Sequence, residues 1–325
     1  MLMYLSGKSW IALLEGAGLN SIEIVSSRLL TTLFEVVHGF YPAAYLSIAA
    51  TVRAADALSV YQGQGILISR SSDSLGKKEK EERTKIWCGI MILDRYLAVE
   101  VGKWPPITRG RMVPDCRNTP GGTNSEVGSL SFHRLFEASS LLDKVHTAIH
   151  EPTSQQSFNV EEASMIVTTL TSFETIVEQE IAGKSKLSSS GLVLATTGLL
   201  LAFENGSKAI CPDHETSQCQ IQAIVALGSL IEEILKLVEE LEEGTGTFDV
   251  GTFSPFAFHL IYKAAAIVTE RLQVGLELET NLQRVRILRK ILRLVGHRWL
   301  AGQRYLRLLN EDTTPRMLKA IECVD

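Results

Sequence analysis

The residue types that bind metal ions are scattered in this chain, but two groups have suggestive spacing. His146 and His150 are four residues apart, which places two side chains on one face of a helix. No glutamate follows His146 to give an H-E-x-x-H frame, and the sequence specifies no third ligand. The Asp-His pair between Cys211 and Cys219 fits the spacing of no common zinc finger. We therefore interpret these histidines as solvent-facing or capping residues and predict no metal cofactor.

The motifs that carry nucleophilic or phosphate chemistry are also missing from the sequence. There is no G-x-S-x-G and no Walker loop, and Gly63-Gln64-Gly65 lacks the third glycine of a dinucleotide fingerprint. A helical terpene cyclase needs an aspartate-rich D-D-x-x-D motif, which does not occur. Asp94 with Arg95 is a conceivable acid/base pair, but no histidine or nucleophile lies nearby in sequence. The sequence predicts a protein that is not an enzyme.

The element that would position Asp94 is a helix within the stretch from Arg83 to Ile107. Its apolar residues recur every three or four positions, which stacks them on one helical face: Ile86, Ile90, Leu93, Leu97 and Val101. A second apolar row lies about 100° further round the helix: Trp87, Met91 and Ala98. An apolar surface of this width predicts a helix that is buried on two sides within a larger helical body.

Asp94 lies between the two apolar rows, so its carboxylate should point into the core and be paired there. The expected donors are the backbone amides of residues 102–104 or an arginine from another helix. Arg95, one step round the helix, is expected to face away from the core. Gly102 should end the helix, and Pro105-Pro106 should keep the chain extended after it.

This stretch resembles a known family. An arginine-rich approach, Ile-Trp, Ile-Leu-Asp-Arg-Tyr-Leu and Gly-Lys-x-Pro-x-Ile together resemble the fungal-specific transcription factor domain, the middle homology region of fungal binuclear zinc-cluster regulators. The family has two aromatic residues where this chain has Trp87-Cys88, and a Gly-Arg-Pro turn where this chain has Gly102-Lys103-Trp104-Pro105. The departures are Cys88 and the inserted Trp104.

Two flanking blocks resemble the same family in the expected order. The alanine-rich segment that follows Pro42 is similar to the helix upstream of the central motif. Ser254-Pro255 and the aromatic residues after it are similar to the C-terminal motif, and Trp299 matches a tryptophan common at that point. The resemblance covers about residues 43–309.

Composition limits the other functional classes. A net charge of -5 argues against a surface devoted to nucleic acid or an anionic membrane. Five scattered cysteines, with no C-x-x-C, favour a reducing compartment over a disulfide framework and contain no zinc cluster. The N-terminal residues do not have the pattern of a signal peptide, and the longest apolar run, 191–203, is too short to span a bilayer.

The sequence as a whole predicts an all-α protein that forms one large, bundle-like domain over residues 1–325. A long Pro/Gly-rich loop over 102–128 follows the central helix. Residues 182–191 are the candidate internal linker by composition. Other helices are expected at 20–38, 129–149, 160–182, 214–243 and 281–309.

The last of these helices is strongly basic. Four of its cations are predicted to form one stripe, with His297 among them: Arg286, Lys290, Arg293 and Arg304. One interpretation is a phosphate-binding or partner-binding face. The other is a solvated face that is balanced by the glutamates of 232–243 on a neighbouring helix.

The resemblance implies a regulator of RNA polymerase II transcription in the nucleus, of the kind that governs nutrient use or secondary metabolism. In the family this domain is joined to a zinc-cluster module that binds DNA, often as a dimer, and zinc would be expected only there. Without that module, the chain would act through protein partners of the transcription machinery or another regulator, with a homodimer or heterodimer as one form, and reach DNA indirectly. The alternative is a cytoplasmic helical scaffold or small-molecule-binding protein with no role in transcription.

Overall fold

The computed structural model shows an all-α protein, which confirms the predicted fold class. It describes residues 2–60, 73–102, 104–113, 126–152, 158–181, 185–210, 214–243 and 253–322. Twelve α-helices and no strand occur within these ranges. The helices are α1 (Leu2–Gly16), α2 (Ile22–Val37), α3 (Tyr41–Ala57), α4 (Asp73–Val101), α5 (Glu126–His150), α6 (Val160–Glu180), α7 (Ser190–Ser207), α8 (His214–Glu243), α9 (Ala257–Gln273), α10 (Leu278–Gly296), α11 (Leu300–Glu311) and α12 (Pro315–Glu322).

The chain divides into two compact units, Met1–Ser140 and Leu141–Asp325. The first contains α1 to α4 and the larger part of α5, and the second contains the rest of α5 and α6 to α12. The expectation of one domain over the whole chain stays a prediction. Within the described ranges, no helix is both long enough and apolar enough to cross a membrane.

Local signals set the boundaries of the early helices in the first unit. Ser21 caps α2, because its side-chain oxygen accepts a hydrogen bond from the backbone N–H of Ile24. Gly39 follows that helix at a φ of 70°, which a side chain would disfavour. Pro42 stands in the first turn of α3, where its missing N–H leaves no hydrogen bond unmade. The end of the helix predicted over 20–38 is therefore confirmed.

Helix α1 packs on α2 with its ionisable residues turned inward. The hydroxyl of Tyr4 donates a 2.7 Å hydrogen bond to the carboxylate of Glu35, and the ammonium of Lys8 binds the same oxygen. Glu35 is fully buried on α2. Further along α1, Glu15 forms an ion pair with Arg28 of α2. The inner side of α1 is thus largely ionic, with Ile11 also buried there, and five large apolar side chains are exposed on the outer side: Leu2, Met3, Leu5, Trp10 and Leu13.

The core of the second unit is built around α7 and α9. Nearly every residue from Gly191 to Leu200 is buried, because α7 packs against α6, α8 and α9. Gly198 allows this, since a Cβ there would already touch Leu170 of α6 at 3.4 Å. The run 191–203 that is too short to span a bilayer is therefore a core helix of this unit.

The predicted linker, 182–191, lies inside the second unit. Residues 182–184 are outside the described part of the chain. Lys186–Ser188 form a short 3-10 turn, and Ser190 begins α7. Leu187 is buried, and its carbonyl accepts a 3.0 Å hydrogen bond from the backbone N–H of Ser254. In its described part, this stretch is therefore a packed connection between α6 and α7.

The single helix predicted over 281–309 is wrong, because the chain forms two helices there. Helix α10 ends at Gly296, and α11 begins at Leu300. The two pack so closely that a Cβ on Gly302 would stand 2.6 Å from the carbonyl oxygen of Leu292. The apolar period continues through the break, which is why the sequence pattern did not reveal it.

Candidate functional site

The central helix α4 is buried from Ile86 to Ala98, as the double apolar row predicted. Trp87 is completely buried, and its indole N–H donates to the carbonyl of Met112 at 3.4 Å. The guanidinium of Arg111 lies 5.9 Å from the centre of the Trp87 ring and also forms an ion pair with Asp56 of α3. These contacts fix the segment after α4 against α3 and α4.

Asp94 points into the core, as predicted, and is 3% exposed. Its Oδ2 accepts two hydrogen bonds from Thr108, from the backbone N–H at 2.7 Å and from the hydroxyl at 2.8 Å. Thr108 is itself buried. The sequence predicted donors at 102–104 or an arginine from another helix; Lys103 lies outside the described residues, and these expected donors stay a prediction. The two hydrogen bonds from Thr108, four residues beyond that turn, were not predicted.

The expectation that Arg95 faces away from the core is wrong, because Arg95 is 6% exposed. One guanidinium nitrogen donates to the hydroxyls of Ser139 and Ser140 at 3.0 and 2.9 Å. The guanidinium also lies 5.1 Å from the ring centre of Phe136, a cation–π distance. The helical period of α4 could not show this, because the covering surface belongs to α5, more than 40 residues further along.

Gly102 ends α4, as predicted, with a φ of 79°. Its N–H donates to the carbonyl of Ala98 at 2.9 Å, which satisfies one of the last carbonyls of the helix. Pro105 is exposed and Pro106 is buried. The predicted extended segment is wrong beyond them. The N–H of Arg109 bonds to the carbonyl of Pro106, so the chain turns where Asp94 binds Thr108.

Trp299 occupies the corner between α10 and α11 and is only partly buried, with Arg298 stacked 5.5 Å from its ring centre. Its predicted place within a helix is wrong, because its backbone is extended at the N-cap of α11. This break also removes Arg304 from the predicted basic stripe. Arg304 lies on α11 and stacks 5.6 Å from the ring centre of Tyr305.

The three remaining cations of the stripe, Arg286, Lys290 and Arg293, lie on α10. Arg286 donates to the carbonyls of Ala320 and Ile321, at the C-terminal end of α12, at 2.7 and 3.1 Å. Arg293 lies 3.6 Å from the carboxylate of Glu322. Lys290 is exposed. Part of the predicted partner face is therefore covered by the last helix of the same chain.

One of the glutamates of 232–243 contacts α10 at a residue outside the predicted stripe. Arg284 forms an ion pair with Glu232 of α8. Acidic residues of both α8 and α12 therefore form ion pairs with the basic residues of α10. The interpretation of 286, 290, 293 and 304 as a partner face stays a prediction.

The two histidines at helical spacing lie side by side on α5, with ring centres 4.4 Å apart. The expectation of solvent-facing or capping residues is wrong for His146, which is buried, and His150 is exposed. Across the described residues, no group of three or more potential ligands could hold a metal ion. Cys211 and Asp213 lie outside those residues.

One cluster of ionisable groups was missed by the sequence reasoning. Glu174 on α6 accepts a 2.6 Å hydrogen bond from the hydroxyl of Thr196 on α7. Nearby, the ammonium of Lys186 lies 2.6 Å from the carboxylates of both Glu178 and Glu233. Burial raises the pKa of Glu174 to about 7; Glu233 and Glu178 add to the rise, while the Thr196 hydrogen bond and Lys186 oppose it.

The available signal for this cluster was the pair Glu174 and Glu178, four residues apart on one face of α6. A spacing of four is common on solvated helices, so the sequence did not distinguish them. Their convergence with Glu233 depends on how α6 and α8 pack. This is a tertiary feature that no local pattern contains.

Comparison with known proteins adds no relative. No family model matches the chain, and neither the curated proteins nor the solved structures contain a match.

Proposed function

We propose that this chain is the regulatory domain of a fungal-type transcription regulator that acts on RNA polymerase II transcription in the nucleus. It would work through protein partners, with DNA reached only indirectly. Its targets would belong to nutrient use or secondary metabolism, as the resemblance implies. The proposal includes no catalytic role and no bound cofactor.

The observation that carries the proposal is the use of the adjacent pair Asp94 and Arg95. Both are buried on α4, and they bind different later segments, the turn at Thr108 and the serines of α5. The two charged residues therefore connect α4 to two later segments of the chain. The residues that resemble the family motif are the same ones that make these contacts, which supports interpreting the motif as a folding element rather than a chance match.

A tethering experiment tests the proposal directly. The chain is fused to a heterologous DNA-binding domain, and the output of a reporter with the matching promoter site is compared with that of the DNA-binding domain alone. We expect a change in output, and we expect the purified chain alone to bind no DNA. No change in tethering, together with unchanged transcript profiles in a deletion strain, would count decisively against the proposal.

A charge reversal on α10 tests whether the partner face contributes. Lys290→Glu lies on the exposed part of the predicted stripe, and Lys236→Glu makes the same change on the exposed side of α8. We expect the first variant to lower the tethered output and the second to leave it unchanged. Equal effects would remove the partner face from the proposal while leaving the tethering result in place.

The alternative, a cytoplasmic scaffold or binding protein, is favoured by the apolar outer face of α1, which suits protein contacts of any kind. A cavity of about 120 Å³ beside Lys8 and Arg28 is smaller than the pockets that hold drug-sized ligands, about 300 Å³ or more, so this cavity does not itself favour small-molecule binding. A fluorescent fusion separates the two proposals, because lasting cytoplasmic residence favours the scaffold.

A further inference from the structure

The outer face of α1 carries large apolar side chains and no charge. Leu2, Met3, Trp10 and Leu13 are 85%, 91%, 61% and 61% exposed. The helix has only two charged residues, and both Lys8 and Glu15 are bound to α2 on the other side. A soluble helix normally shows the opposite polarity, so a face of this kind indicates a contact surface.

The order of residues on this face fits a second copy of itself. At 100° per residue, Leu2, Ser6, Ser9 and Leu13 lie along the centre of the outer face, with Met3 and Trp10 on one flank. If two such helices meet antiparallel with the small serines at the closest approach, Leu2 of one copy faces Leu13 of the other. On the same flank, Trp10 of one copy reaches Met3 of the other. The two-fold axis of the dimer then lies midway between residues 7 and 8 along each helix.

The available area is sufficient for this arrangement. Five exposed side chains, with Leu5 as the fifth on the opposite flank, offer roughly 100 Å² each, so two copies would bury at most about 1,000 Å² in total. That value is at the threshold for a biological interface, about 1,000 Å², and corresponds to a weak, reversible dimer. No charge would be desolvated and no like charges would meet, because the face has none.

We infer that α1 is a homodimerisation helix that pairs antiparallel with α1 of a second copy of this chain. A lipid surface fits less well, because helices that lie on membranes carry lysine and arginine around the apolar face. Here the one lysine of α1 is directed to Glu35, and the chain has a net charge of -5. The inference does not depend on the proposed role in transcription.

Sedimentation velocity of the full chain, from about 1 to 100 µM, tests the inference. We expect dimers, and we expect Leu13→Glu to raise the dimer dissociation constant roughly tenfold or more, because it buries an unpaired carboxylate against Leu2 of the other copy at each end of the pair. The matched control is Met165→Glu, the same type of change at a similarly exposed position on α6, which should leave the dissociation constant unchanged. Circular dichroism confirms that each variant is folded.

The double variant Leu2→Lys/Leu13→Glu tests the register. It places opposite charges across both ends of the antiparallel pair, so the dimer should be largely restored relative to Leu13→Glu. A chain that is monomeric at 100 µM would overturn the inference, and so would a dimer that is unaffected by Leu13→Glu. A monomer that floats with neutral phosphatidylcholine vesicles, and loses this in Leu13→Glu, would assign the face to lipid instead.

Discussion

The carboxylate of Asp94 receives both hydrogen-bond donors of Thr108, its backbone N–H and its hydroxyl, at 2.7 and 2.8 Å. Both residues are almost completely buried. Because the carboxylate satisfies a backbone group as well as a side chain, it holds the turn after α4 in one conformation. A charged acceptor makes these bonds stronger than neutral ones.

Removal of that carboxylate should destabilise the first unit. We expect Asp94→Ala to lower the free energy of unfolding by about 2–4 kcal/mol, because it leaves the N–H and hydroxyl of Thr108 buried without this acceptor. Asp94→Asn should cost less, since its amide oxygen can still accept. Urea titration of both variants measures the difference, with Glu239→Ala as an exposed control on α8. Unchanged midpoints for both would show that Asp94 does not hold the turn.

Arg95 should matter through its shape as well as its charge. Arg95→Met should lower the free energy of unfolding by about 1.5–3 kcal/mol, because the hydroxyls of Ser139 and Ser140 lose a charged donor. Arg95→Lys should recover only part of this, since an ammonium lacks the planar fork. Thermal melts compare them with Arg53→Met, an exposed arginine of α3. Full recovery by lysine would contradict a geometric role.

The contact between α10 and α11 should be sensitive to a single methyl group. Gly302→Ala places its Cβ 2.6 Å from the carbonyl oxygen of Leu292, so we expect a loss of about 1–3 kcal/mol as the helices separate. Gly228 on α8 provides the matched control, since a Cβ there meets no atom within 4 Å. Gly228→Ala should instead stabilise by about 0.5–1 kcal/mol. Chemical denaturation distinguishes the two, and equal signs would contradict the close packing.

Glu174 should make the second unit less stable at neutral and higher pH than at acid pH. Its pKa is raised to about 7 from the ordinary 4.5, so the folded state holds a proton that the unfolded state releases between those values. The free energy of unfolding should therefore fall as pH rises from 4.5 to 7 and stay lower above that. Glu174→Gln, which keeps an acceptor for Thr196, should be more stable than the parent at pH 8, by about 2 kcal/mol, and similar to it at pH 4.

Urea denaturation at the two pH values measures this difference. Glu161→Gln is the control, because Glu161 is exposed on the same helix, thirteen residues before Glu174 in the sequence. A stability difference between Glu174→Gln and the parent that is the same at both pH values would show that the carboxyl of Glu174 does not titrate in this range.

The fold was predictable wherever a local rule decides the outcome. The double apolar row predicted the burial of α4, and Gly102 predicted where this helix ends. Both predictions succeed because helical period and glycine conformation act within a few residues. The inward position of Asp94 followed from the same period. The break at Trp299 did not, since Gly296 and Gly302 serve the packing of two helices and leave the apolar pattern intact.

The site was less predictable than the fold, because its partners come from distant segments. The burial of Arg95 depends on α5, and the raised pKa of Glu174 depends on the packing of α6, α7 and α8. The same is true of α12, whose C-terminal carbonyls bind Arg286. Each of these contacts joins residues too far apart in sequence for spacing to reveal them.

Asp94 and Arg95 bind residues that come later in the sequence, so their contacts can form only after α4 has been synthesised. Thr108 lies 14 residues after Asp94, and Ser140 lies 45 residues after Arg95. When α4 first emerges from the ribosome, these hydrogen-bonding partners of its two interior charges have not yet emerged. We therefore expect nascent chains arrested before Ser139 to stay protease-sensitive within α4, and chains that extend well past Ser140 to become resistant.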